Sequence, residues 1–144
     1  MQEMEQTAKQ GMFRAYQALS ALTAFLLIVQ PILIGQSLYN DPDYIDLHAV
    51  VANGLTLVVA LQLVVCFLGR SKWGFATVIW NFVLLVLIVA QTGLGYSARD
   101  SDGAAQVHIP LGVLMFSLGL IIALLGFFDI RRQGAPQRGS GPRP

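Results

Sequence analysis

The chain has 144 residues and a formal net charge of +1, with 55% hydrophobic and only 12% charged residues. Four long apolar runs take up nearly all of it, which leaves no room for a separate soluble domain. The near-neutral charge, and the lack of any phosphate loop or nucleophile elbow, exclude a nucleic-acid-binding surface and the chemistries those motifs carry.

The runs cover 15–35, 47–69, 73–95 and 107–128. A run of about 20 residues at a rise of about 1.5 Å per residue crosses a hydrocarbon core about 30 Å thick. The pattern predicts an all-α fold, an integral membrane four-helix bundle built from two tandem helical hairpins over 15–130.

The first run is too long for a signal peptide. It follows a segment, 1–14, that mixes Glu3 and Glu5 with Lys9 and Arg14, and no small-residue cleavage site follows it. It reads as a retained helix. Pro31 removes one bond of the helical ladder and predicts a kink, beside the polar Gln30. An acidic link with Asp41, Asp43 and Asp46 leads to the second run, which opens with His48 and carries Ala52 one turn on. Its Cys66 is the sole cysteine, so no internal disulfide is possible, and a thiol in an apolar run reads as a packing residue.

Arg70 and Lys72 join the second run to the third. There Asn81 reads, like Asn53 in the second, as a hydrogen-bonding group between helices, and Gln91 lies just before the far end. Another link, with Arg99, Asp100 and Asp102, leads to the fourth run, which opens with His108, Pro110 and Gly112 and continues through Gly119. Pro110 is expected in the first helical turn, where its missing N–H breaks no bond. The tail 131–144 is expected to be disordered, because it has few apolar residues to bury.

Lys9, Arg14, Arg70, Lys72, Arg131, Arg132, Arg138 and Arg143 fall on one side of the predicted bundle and only Arg99 on the other. The bias of Lys and Arg toward cytoplasmic segments then places both termini and the middle link in the cytoplasm. The expected location is the inner (plasma) membrane of a bacterium.

Sliding the chain over itself by sixty residues superposes Gly35-Gln36-Ser37 on Gly95-Tyr96-Ser97, Leu27-Ile28-Val29 on Leu87-Ile88-Val89, and His48 on His108. Each copy is one hairpin, so the two are expected to be related by a pseudo-twofold axis along the membrane normal. The two histidines, the only ones in the chain, then emerge at one depth. Ionisable residues inside a membrane are costly and tend to mark sites.

Four helices in sequence order around a ring put the second and fourth on a diagonal of about 11 to 14 Å. That gap is too wide for contact between imidazoles and suits a flat macrocycle whose iron takes one nitrogen from each side. His48 and His108 are therefore the expected metal ligands, holding one heme per chain. Zinc or copper would recruit more protein ligands than this chain supplies.

Ala52 and Gly112, each one turn after a histidine, are expected to leave room for a ring edge. Gln91, with Gln30, is expected either to face the pocket or to bond across helices. Arg99 is expected to meet a heme propionate or to pair with Asp100 or Asp102. The second nitrogen of each histidine needs a partner, for which a carbonyl one turn earlier, Asp46 and Gln106 are candidates. The positive ends of both helices are expected to keep the rings neutral.

With segments such as Asp46-Leu47-His48 and His108-Ile109-Pro110-Leu111-Gly112, the chain resembles one four-helix half of the heme A synthase family, over roughly 15–130. It is also similar to a family of small uncharacterised four-helix bacterial membrane proteins. The resemblance implies that His48 and His108 are axial ligands of a b-type heme. Synthase members carry an acidic residue one turn before a pocket histidine, where this chain has Ile45 and Ala105, and they join two bundles where this chain has one.

The function expected is a cytochrome b-like electron carrier or a heme-bearing subunit of a larger membrane complex, respiratory or other, with the lipid bilayer and a complex or homodimer as partners. Two alternatives stand beside it. One is a cofactor-free structural or assembly subunit, and the other a heme- or quinone-modifying membrane enzyme.

Overall fold

A computed structural model of the chain describes residues 2–133, and the regular structure among them is all helical. The helices are α1 (Gln2–Tyr39), α2 (Tyr44–Leu68), α3 (Arg70–Trp73), α4 (Phe75–Ser97) and α5 (Asp102–Gln133). Four of them contain a stretch long and apolar enough to cross a membrane: Gln10–Tyr39, Tyr44–Leu68, Phe75–Ser97 and Asp102–Gly126. The protein is a multi-pass membrane protein of the predicted class.

The helices run past the predicted limits. α1 reaches back through the N-terminal segment and continues unbroken through Pro31. α5 starts at Asp102, five residues earlier than the apolar run, and continues to Gln133. The expectation of disorder for 131–144 meets helix as far as 133 and otherwise lies outside the described residues. The early start of α5 places Pro110 in the helix interior rather than in the first turn. Its missing N–H leaves the Gln106 carbonyl without the usual partner four residues on.

Trp73 belongs to the link between hairpins rather than to a span. α3 is a single turn, and Gly74 leaves it at φ +79, a left-handed conformation that admits glycine without strain. Trp73 folds back over Gly69, where a Cβ would lie 2.5 Å from the indole. Arg70 completes the turn by donating from Nη1 to the Phe67 carbonyl at 2.8 Å, which satisfies one of the open carbonyls at the end of α2.

Around the bundle α1 touches α2, α2 touches α4, α4 touches α5 and α5 returns to α1, while α2 and α5 are not neighbours. The expected diagonal is present. The core takes residues from every span: Leu27 of α1, Leu55 and Val59 of α2, Leu84 and Ile88 of α4, Met115 and Ile122 of α5. Gly119 of α5 admits the Leu27 side chain against its backbone.

Only about a quarter of each apolar window is buried. Side chains such as Leu57, Val50 and Leu125 point outward, where lipid is their solvent. Lipid is as apolar as leucine, so close packing and hydrogen bonds between helices hold such a bundle together. A polar seam does this in the half nearer the termini. Thr23 Oγ1 donates to Gln62 Oε1 at 2.8 Å, Gln62 Nε2 donates to Asn81 Oδ1 at 2.6 Å, and Asn81 Nδ2 donates to the Tyr16 hydroxyl at 3.0 Å. Cys66 lies in the same cluster, fully buried, as a packing residue should.

Candidate functional site

His48 and His108 occupy the second turns of α2 and α5, at the end of the bundle away from the termini. Each is held in the same way by the helix that precedes it. His48 Nδ1–H donates to the backbone carbonyl of Gln30 on α1 at 3.3 Å, and Gln30 Nε2 donates back to the His48 carbonyl at 3.4 Å. In the other hairpin His108 Nδ1–H donates to the Gln91 carbonyl on α4 at 3.1 Å, and Gln91 Nε2 donates to the His108 carbonyl at 2.7 Å.

These clasps settle the tautomer. A carbonyl oxygen only accepts, so Nδ1 carries the proton in both rings, and in a neutral imidazole Nε2 is then an unprotonated acceptor. A hydrogen bond from the far nitrogen to a carbonyl is how metal-binding histidines are usually oriented. The two rings stand 6.4 Å apart between centroids, at an interplanar angle of 71°. The side chains thus reach inward from diagonal helices and come much closer than the helix axes.

Neither Asp46 nor Gln106 serves the imidazoles, and the carbonyls that do belong to neighbouring helices rather than to the turn before. The helix-end argument for neutral rings also weakens, because the effect fades beyond the first turn and both histidines lie in the second. The neighbour's carbonyl fixes which nitrogen carries the proton and so orients the ring, which is a separate matter from its charge.

Gly112 turns out to serve the glutamine. A Cβ there would lie 2.8 Å from Gln91 Nε2, so the missing side chain lets the amide reach the His108 carbonyl, in place of the ring edge expected to use that room. Ala52 lies half-buried one turn beyond His48, and its carbonyl accepts from the Thr56 hydroxyl at 3.1 Å. Gly95 of α4 was not anticipated. A Cβ on it would lie 3.0 Å from His108 Cε1, so the ring rests against bare backbone.

Arg99 pairs with neither Asp100 nor Asp102. Its Nη2 lies 3.1 Å from Asp46 Oδ1, an exposed contact that ties the α4–α5 link to the start of α2. Asn53 and Asn81 both bond between helices as expected, Asn53 Nδ2 donating to the Tyr96 hydroxyl at 2.7 Å. Gln30 Oε1 and Gln91 Oε1 are buried without partners among the described residues, one on each side of the histidine pair. The matching orphans extend the twofold likeness of the two halves.

Residues 30–98 match a family of unknown function (DUF6220). The matched stretch begins at Gln30, contains His48 and Gln91, and stops short of His108. No curated protein and no solved structure matches the chain. The resemblance to heme A synthase therefore gains no support from these comparisons.

Proposed function

We propose that the protein holds one b-type heme between His48 and His108 and carries single electrons, alone or as the heme-bearing subunit of a larger membrane complex. The observation that carries this reading is the pair of identically clasped imidazoles, each with Nε2 left as an acceptor, at a centroid separation of 6.4 Å. A separation of that order would let both Nε2 atoms reach one metal at about 2.0 Å each if the two rings turned to face it.

Among the described residues no group of three or more His, Cys, Asp or Glu side chains stands close enough to bind a metal. Two protein ligands complete a coordination sphere only where a macrocycle supplies four more, so the donor set favours heme over zinc or copper. The ligating atoms are Nε2 of His48 and His108. Gln30 and Gln91 fix the rings through their carbonyls, and Gly95 gives the His108 ring its place. Held by His48 and His108 together, a heme would supply reversible one-electron transfer.

The same reading places the protein in a bacterial plasma membrane with its termini in the cytoplasm and the histidines toward the outer face, on the distribution of Lys and Arg. The test is a reduced-minus-oxidised visible spectrum of the purified protein, with pyridine extraction to identify the macrocycle. The expected result is sharp b-type bands at one heme per chain, lost in His48→Ala and in His108→Ala. A folded, colourless protein under ample heme supply would overturn the reading in favour of a structural subunit.

A further inference from the structure

A cavity of about 340 Å³ lies at the other end of the bundle, between α1, α4 and α5. Its size is that of a small-molecule site. The buried Tyr16 and Asn81 form its closed end, and Trp80, Ile121 and Leu125, each about half exposed or more, form a mouth on the lipid-facing surface. Trp73 lines the cavity as well, its ring centre 5.0 Å from that of Tyr16 and 5.8 Å from that of Phe13.

The closed end has a definite polarity. Asn81 Nδ2 donates to the Tyr16 oxygen at 3.0 Å, which leaves the Tyr16 hydroxyl proton to be given elsewhere; the Ser20 hydroxyl lies beside it, buried and making no hydrogen bond of good geometry among the described residues, so the two hydroxyls together keep a proton to give. Asn81 Oδ1 is already taken by Gln62. A ligand at this end is therefore offered a donor, at the bottom of a pocket walled by aromatic rings.

We propose that this cavity binds the ring of a lipid-soluble quinone, with a ring carbonyl accepting the Tyr16 proton and the tail leaving through the mouth into the bilayer. A lipid acyl chain has no acceptor to set against Tyr16. A groove between α2 and α4, lined by Leu63, Val64, Phe67, Phe75 and Phe82 with no polar surface, suits such a chain better. Flat rings pack favourably against indole and phenol faces. The site stands on its own residues and does not depend on the heme.

Both tryptophans of the chain line this cavity, so intrinsic fluorescence reports from it directly. The protein in lipid nanodiscs is titrated with menadione, a tail-less quinone, and in parallel with methylnaphthalene, which has a similar shape and no carbonyl. The expected result is saturable quenching by menadione, about tenfold weaker in Tyr16→Phe for one lost hydrogen bond, and no saturation with methylnaphthalene. Gly126→Leu fills the cavity and keeps the Tyr16 hydroxyl and the Asn81 amide in the chain, since a Cβ there meets only the Tyr16 ring, at Cε1, in ordinary van der Waals contact at 3.6 Å. It is expected to abolish saturation even if Tyr16→Phe misfolds. Linear quenching, equal saturation by methylnaphthalene, or menadione binding unchanged in folded Gly126→Leu would each overturn the proposal. A bound heme lowers the starting fluorescence without supplying a saturable response to menadione, so the titrations are compared at one heme content.

Discussion

A main-chain carbonyl aims each imidazole, and the glutamine side chain serves a second purpose. Gln91 Nε2 reaches the His108 backbone, while the Gln91 carbonyl takes the ring proton. Gln91→Leu removes the first bond and keeps the second. It should therefore cost on the order of 1 kcal/mol of stability, as one interhelical hydrogen bond in a membrane does, with heme content reduced by less than tenfold. A heme-to-protein ratio after purification, read beside the unfolding midpoint, separates the two effects. Complete loss of heme would mean that the side chain, rather than the carbonyl, orients the ring. The two histidines were legible in the sequence because they are its only ones and fall in a common register. Their orienting partners were not, since a backbone carbonyl belongs to every residue and carries no sequence signal. The glutamines were half-hidden too: they precede their histidines by 18 and 17 residues, so a gapless shift of sixty puts Gln30 against Ala90.

Among the helices, the apolar runs located all four spans, and their ends were misjudged for a common reason. Hydropathy marks where lipid begins, whereas a helix continues into water as long as its backbone bonds are made. α5 is the plainest case, because Asp102 and the residues after it are too polar to count as span and still form its first turns. Ser101 Oγ accepts from the Ala104 N–H at 3.4 Å and helps to start the helix there. The contact of α4 with α5 then depends on Gly112. Gly112→Ala places a Cβ 2.8 Å from Gln91 Nε2 and should destabilise the protein by about 1 to 3 kcal/mol through overpacking. Combined with Gln91→Ala, which withdraws the amide, the same substitution should cost much less than the sum of the two changes. Thermal unfolding of the four proteins in one detergent measures that difference. Strict additivity would mean that the close approach is relieved elsewhere.

Across the whole molecule the two ends differ in character. One end brings the histidines together across a diagonal, and the other holds the polar seam and the aromatic cavity. Which end faces the cytoplasm is a separate matter, carried by eight of the nine basic residues. Green fluorescent protein fused to the C-terminus should fluoresce, because it matures in the cytoplasm. Alkaline phosphatase fused after Arg99 should be active and after Lys72 inactive, and the reverse pattern would invert the assignment. The diagonal packing was legible from short links and sequence order, while the 6.4 Å approach of the rings was not, because it depends on rotamers set by contacts between hairpins. Each hairpin supplies one histidine and the glutamine that clasps it, which is half of a site and no more. A free hairpin of that kind would complete the site by pairing with its own twin, at a strength set by concentration in the membrane. Written twice in one polypeptide, the same half-site always has its mate at hand, and the two copies are free to diverge.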